Sequence, residues 1–334
     1  MLFNEKFKLI EVKGNSFEIG EKIGKETSEG IKKYLAFKRK VWHRKITPEI
    51  EESLNISIKT IEEKFPEQFL FLQGVSKGSD IDFKDIFYLN AGDVFNLPEN
   101  CSTVCIQKDN GHWIIGHNED WGENEIFLLK TNHQDGTKTL STCYNGFLPG
   151  VGFNINSKGL ITAFTATQAK DGGQGVQKKF NCNTILLEES PQKIIEKFTQ
   201  EERMRGHHLT ICRGKDLFSV ETSGKKCSVK NKKESFAHTN HYKHEEMIRL
   251  EAQDEETLKH SKLRLETIEE EFKKIKNKDF NSLIKILRSH KNFPYSVCCH
   301  GNEEGNIAQM QTVGTILIDS EFPNKLYAIK GNPC

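Results

Sequence analysis

The run LPENCSTVCIQ (97–107) places a cysteine, Cys101, directly before two hydroxyl residues, Ser102 and Thr103, about a third of the way along a 334-residue chain. Three uses are open to such a cysteine: core filler, metal ligand or nucleophile. No histidine in the motif stands ready to take the thiol proton. Cutting the Asn100/Cys101 peptide bond would remove that difficulty. Cys101 would then carry both a thiol and a primary amine, with reference pKa values of about 8.5 and about 8, so one residue supplies nucleophile and base. The sulfur can make the cut itself: attack on the Asn100 carbonyl gives a thioester by N-to-S acyl shift, and hydrolysis frees the amine. The surroundings suit a cleavage point, since the Pro98-Glu99 turn signal precedes it and a strand-like run follows.

The metal reading rests on Cys101, Cys105, His112 and His117. Cys-x-x-x-Cys on a strand puts both thiols on one face, but the set has no recognised zinc spacing. The nine cysteines (101, 105, 143, 182, 212, 227, 298, 299 and 334) are odd in number and lack C-x-x-C pairs. They read mostly as buried free thiols. His207-His208 and Cys298-Cys299 form no ligand set legible from spacing, and neither a metal nor a cofactor is expected.

The elements that must position Cys101 follow from patterning. The first hundred residues read as mainly helical, with a cap at Asn15-Ser16-Phe17-Glu18, a Pro-initiated helix at Thr47-Pro48 and a third from Asp82. From Ser102 short β-rich runs take over. TVCIQ and HWIIGH form a hairpin around Asn110-Gly111, and FLLKTN, TKTLSTCY and GLITAFTAT continue the pattern. A helical segment spans about 183–202, then LTICRG, DLFSVETS and ESFAHT read as strands. Between His244 and His290, Leu265, Ile268, Phe272 and Ile275 draw a narrow apolar stripe on a charged helix that is otherwise solvated, and TVGTILID and KLYAIKG close the chain as strands. Without βαβ alternation or a phosphate-binding glycine loop, the order indicates a layered α+β fold of antiparallel sheets flanked by helices.

Lys and Arg number 48 against 47 Asp and Glu, a formal charge of +1 that offers no field for nucleic acid or anionic lipid. No stretch approaches the roughly 20 apolar residues of a membrane span, and the charged start lacks a secretory h-region, so a cytoplasmic location is expected. The glycosylation-like triplets at Asn55 and Asn100 read as chance matches on that ground.

The ordered pieces GNSFEIGEKIGKE, GVSKGSDIDFKDIFYLNAG, CSTVCI, GHNEDW, NSKGLIT, AHTNHY, SKLR, FPYSVC and LYAIKGNPC resemble the acyl-coenzyme A:6-aminopenicillanic-acid acyltransferase family of N-terminal-nucleophile (Ntn) hydrolases, which includes β-alanyl-amine hydrolases. The resemblance implies one four-layer αββα sandwich, with residues 1–100 as a helical amino-terminal portion that becomes the α subunit on self-cleavage and residues 101–334 as the catalytic β subunit. It makes Cys101 the nucleophile. Asp120 would hold the freed amine near the thiol, and the Asn240 carboxamide N–H would meet the developing oxyanion. Ser102, Thr103, Asn118 and His241 would support them.

Two positions depart from the family pattern: Cys299 stands where members often have arginine, and Thr165 where a relative can have asparagine. The resulting expectation is a self-processing cysteine amidohydrolase or acyltransferase, acting on a small amide or thioester and persisting as a cleaved αβ heterodimer that can assemble further. The alternative is a catalytically inactive binding or scaffold protein of the same fold.

Overall fold

A computed structural model describes residues 7–42, 46–95, 99–122, 124–173, 175–301 and 310–334, with the side chains of 41, 42, 94 and 95 left out. Pro98 therefore lies outside the described residues. A strand, β1 (Leu9–Lys13), precedes four helices, α1 (Ser16–Trp42), α2 (Pro48–Lys64), α3 (Pro66–Ser79) and α4 (Phe83–Asn90), and one 3₁₀ turn (Gly92–Phe95). The expected caps form. The Asn15 side chain accepts from the Glu18 N–H while Glu18 accepts from the Asn15 N–H, and Thr47 caps α2 ahead of Pro48.

The glycines of the two family-like segments serve close helix packing. A Cβ on Gly20 or Gly24 would strike the Phe71 or Val75 carbonyl of α3, and one on Gly74 or Gly78 would strike the Phe17 or Glu21 carbonyl of α1. Because backbone blocks the space from both sides, Gly74→Ala should force the helices apart and cost about 1–3 kcal/mol. Gly92→Ala, with nothing within 4 Å of the added carbon, should be near neutral; denaturant titration of the two variants side by side checks the contrast.

Next come β2 (Asn100–Gln107), β3 (Trp113–Trp121), β4 (Ile126–Asn132), β5 (Lys138–Tyr144), β6 (Phe153–Asn156) and β7 (Leu160–Ala166). Then α5 (Lys178–Thr184), α6 (Pro191–Gln200), β8 (His207–Arg213), β9 (Asp216–Thr222), β10 (Cys227–Asn231), β11 (Phe236–His238), α7 (Glu245–Ile248), α8 (Glu255–Phe272), α9 (Phe280–Leu287), β12 (Gln311–Asp319) and β13 (Leu326–Lys330) complete the order. One sheet runs β1-β4-β5-β6-β7-β8-β9-β10 and the other β11-β2-β3-β12-β13. Among the described residues every pairing of named strands is antiparallel except β1 with β4.

The two sheets face each other across Cys105, Trp113, Ile115, Phe153, Ile161, Cys212 and Ile316. On the outside of the smaller sheet, Leu265, Ile268, Leu283 and Leu287 of α8 and α9 pack on Val104, Ile106 and Ile114. Outside the larger sheet, α1, α3 and α4 cover the β4–β5 end and α5 and α6 cover Phe164, Leu209 and Val220. This is the expected αββα sandwich of antiparallel sheets.

Three local expectations are corrected. A strand, β1, opens the helical portion because Ile10 and Val12 are buried on alternate positions against the larger sheet. The continuous helix at 183–202 is two helices, the second restarting at the Ser190 cap and Pro191. Helix α8 is not simply solvated outside its apolar stripe: Thr257, His260, Ser261, Arg264 and Thr267 are also buried.

Candidate active site

Strands β2 and β3 are partners, with Asn100 opposite Asp120, Cys101 opposite Glu119, Ser102 opposite Asn118 and Thr103 opposite His117. Alternation of side chains sorts these residues onto two faces. Cys101, Thr103, His117 and Glu119 look toward the larger sheet. Asn100, Ser102, Asn118 and Asp120 look toward α8 and α9.

On the first face, Cys101 Sγ lies 3.7 Å from Glu119 Oε2. Glu119 also meets His117 Nε2 at 3.0 Å and accepts from the Tyr144 hydroxyl at 2.8 Å, while His117 Nδ1 lies 2.8 Å from Thr103 Oγ1. All of these groups are buried. Burial, and after it the negative charge of Glu119, pushes the Cys101 thiol well above its ordinary value, with Lys178 opposing. The sulfur is therefore a protonated donor facing the Glu119 carboxyl oxygen.

On the second face, Arg264 of α8 is the hub. Its guanidinium donates to the Cys101 carbonyl at 2.6 Å, to Ser102 Oγ at 2.8 Å and to Asn240 Oδ1 at 2.7 Å, and lies 3.8 Å from Asp120 Oδ2. Asp120 Oδ1 accepts from Thr312 Oγ1 at 2.6 Å. Burial raises Asp120 to about 6, against the pull of Arg264 and Thr312. Between Asp120 and Glu119 the β3–β12 register slips by one residue, from Thr312 to Gly314. Such an irregularity turns the side chains beside it.

Asn240 joins the two halves. Its Oδ1 accepts the Cys101 backbone N–H at 3.0 Å and its Nδ2 donates to the Ala166 carbonyl at 3.0 Å. The partners dictate that orientation, because Arg264 and a backbone N–H can only donate and a carbonyl can only accept. The second carboxamide N–H makes no bond among the described residues. Ser261 Oγ accepts the Asn240 N–H at 2.7 Å, so Ser261 and Arg264, one turn apart in SKLR, together hold Asn240.

The structure thus brings Cys101, Asp120 and Asn240 together, with Asn100 and Ser102 on the same hub. Asp120 lies across the strand from the sulfur, beside Arg264. Asn118 is tied away from the site, donating to the Leu287 and Val297 carbonyls and accepting from Thr315. His241 contacts Ser261 at 2.7 Å, and burial lowers its pKa to about 3, so it stays neutral. Thr165 lies 2.8 Å from His238 Nδ1, within a buried pair of rings, His208 and His238, stacked 3.6 Å apart. Cys299 spends its backbone N–H on Thr312 Oγ1 and so supports Asp120 indirectly. The ligand set of Cys101, Cys105, His112 and His117 is not assembled: four strand residues separate the two thiols by about 13 Å, and Cys105 sits in the core between the sheets.

Residues not singled out from the sequence complete the surroundings: Glu119, Tyr144, Arg264 and a buried ion cluster one residue before the Asn100 side of the bond. There Glu99 pairs with Lys178 and, at 3.5 Å, with Arg205. Although burial opposes it, the cations of Lys178, Arg205 and Lys179 hold Glu99 down to about 2. A cavity of about 430 Å³ adjoins the cluster, lined by Asp93, Gln168, Arg205 and Ala252 and walled by Glu49 and Ile50 of α2. The sequence pieces GHNEDW and SKLR contain Glu119 and Arg264 respectively.

Among relatives, a β-alanyl-dopamine/carcinine hydrolase from Drosophila melanogaster is 22% identical over 190 residues, covering 48% of this chain and 49% of that protein. The chain thus spans about half the length of that relative. A conjugated bile acid hydrolase mutant from Clostridium perfringens superposes with a TM-score of 0.45 at 12% identity, covering 69% of this chain and 92% of that one. A penicillin V acylase from Agrobacterium tumefaciens gives 0.42 at 10% identity, covering 66% and 80%. Likeness at that level carries no functional argument. The family model described as acyl-coenzyme A:6-aminopenicillanic acid acyl-transferase matches residues 106–330, two thirds of the sequence, and the chain belongs to that family.

Proposed function

We propose that the protein is a self-processing cysteine amidohydrolase or acyltransferase of the Ntn type, whose nucleophile is Cys101 and whose maturation cuts the Asn100/Cys101 bond. The observation that carries this reading is the placement of one residue. The Cys101 sulfur faces a buried carboxylate, while its backbone nitrogen, the amine to be, is already held by Asn240 Oδ1.

In the uncut chain, Glu119 accepts the thiol proton as Sγ attacks the Asn100 carbonyl, and the collapsing intermediate breaks the C–N bond as the Cys101 nitrogen is protonated. Hydrolysis of the resulting thioester leaves an Asn100 carboxylate and a free thiol beside a free amine. The unused N–H of Asn240 is the donor assigned to the oxyanion, a contribution typically worth about a hundredfold to a thousandfold in rate. Asp120 and Arg264 fix the second face of β2 and so keep the new terminus in place. In turnover the same sulfur attacks the carbonyl of an amide or thioester, the amine or thiol leaves protonated, and water or an amine takes the acyl group.

The relative named for β-alanyl-amine hydrolysis makes small acyl amides the substrates to try first. The residues before the cut form a helical portion that stays packed on the larger sheet, so the mature protein is an αβ pair.

Intact-mass analysis of purified protein tests the reading. It should resolve into two chains, the larger beginning at Cys101, and the preparation should hydrolyse small amides in a thiol-dependent way. A chain that stays whole through long incubation and shows no such hydrolysis would point to the inactive binding protein instead.

A further inference from the structure

Away from the cleavage site, His290, Cys298, His300 and Cys334 each offer one donor atom, and the four atoms lie within 4.8 Å of one another. His300 Nε2 is central, 2.9 Å from His290 Nε2, 3.4 Å from Cys298 Sγ and 3.3 Å from Cys334 Sγ. Zinc held by two thiolates and two imidazoles has bonds of about 2.3 and 2.0–2.1 Å, so its donors stand roughly 3.3–3.8 Å apart around a tetrahedron. The three separations from His300 Nε2 are 2.9–3.4 Å and the other three lie within 4.8 Å, so side-chain shifts of about an ångström bring the four donors onto such a tetrahedron. We propose that His290, Cys298, His300 and Cys334 form a structural zinc site that clamps residues 331–334 to the 288–301 segment that follows α9.

The donor set favours zinc over the hard cations, which take oxygen ligands, and four protein ligands leave no open position for catalysis. The supports expected around such a site are present. Asn332 Nδ2 lies 3.6 Å from Cys298 Sγ, placed to donate to a thiolate, and also donates to the Cys299 carbonyl at 2.6 Å. Backbone bonds hold the loop: Cys298 N–H to the Ser289 carbonyl at 3.0 Å, and a bridge between His300 and Gln311 at the start of β12. Zinc takes cysteine as the thiolate and histidine as the neutral imidazole, so binding at this site is coupled to release of the thiol protons.

The clamp has a route to the first site. The Val297 carbonyl accepts from Asn118, and Cys299 exchanges bonds with Thr312, whose hydroxyl donates to Asp120. Zinc would therefore steady the wall behind Asp120 without touching substrate.

Untagged protein of the 334-residue sequence, reduced, given zinc chloride and desalted, tests this by elemental analysis. Wild type should retain about one zinc per chain and gain roughly 5 °C in Tm, with the exposed Cys334→Ser and His290→Ala each cutting retention about tenfold. Cobalt(II) should give a thiolate charge-transfer band that zinc abolishes. Zinc-free wild type, variants that retain as much metal as wild type, or a Cys298–Cys334 disulfide as the resting state in non-reduced peptide maps would each overturn the site.

Discussion

Cys101→Ala should yield a single uncut chain and lower amide turnover by about a millionfold, the scale on which removing a covalent nucleophile acts. The reason lies in one residue's double duty. Without Sγ nothing attacks the Asn100 carbonyl, so the amine that would assist later turnover never appears. The side chain is small and buried, and its loss leaves the β2–β3 ladder untouched. A Tm close to wild type is therefore expected and separates lost chemistry from lost fold. Cys101→Ser keeps a hydroxyl at the same spot and should cut slowly, because an alcohol is the poorer nucleophile. Cleavage at Asn100/Cys101 in the alanine variant, followed by mass spectrometry over days, would show that another group makes the cut.

Arg264→Ala carries the second large effect, and it is pH-dependent. The guanidinium is fully buried and bonds the Cys101 carbonyl, Ser102 and Asn240 while facing Asp120. Removing it leaves the Asp120 carboxylate without its cation, a loss of about 3–5 kcal/mol when that group is ionised. Asp120 already sits at about 6, raised by burial. A carboxyl raised above its unfolded value binds its proton more tightly when folded, so stability falls as pH climbs from about 4 through about 6. Losing Arg264 takes away the main opposing influence, drives Asp120 higher and extends that fall to more alkaline pH. The stability deficit should therefore be larger at pH 8 than at pH 5 in urea titrations, and processing should slow at both. Equal deficits at the two pH values would mean that Arg264 acts through packing alone.

How much of this was legible in the residues is clearest on β3. GHNEDW marks a strand end that pairs with the Cys101 strand, but adjacent residues of a strand face opposite ways. Only the register, Cys101 against Glu119, decides which carboxylate meets the sulfur. Asp120 was singled out, and it lies on the helix-facing side with Arg264. Similarly, SKLR stood out as a fragment, yet its use depends on a helical turn carrying Ser261 and Arg264 to Asn240 from more than twenty residues away.

By itself the sequence determined the local decisions: caps and prolines that start helices, the Asn110-Gly111 hairpin, the alternation that makes sheets, and the cysteine at a possible cut. These are set by neighbours a few residues apart, within reach of propensity and periodicity. The tertiary structure alone decided the register of β2 on β3, the burial of Arg264 under an otherwise charged helix, the pairing of Glu99 with Lys178 and Arg205, and the meeting of His290, Cys298, His300 and Cys334. Those contacts join residues as many as 163 positions apart, and no spacing along the chain encodes them, because packing of whole layers brings their atoms within bonding distance.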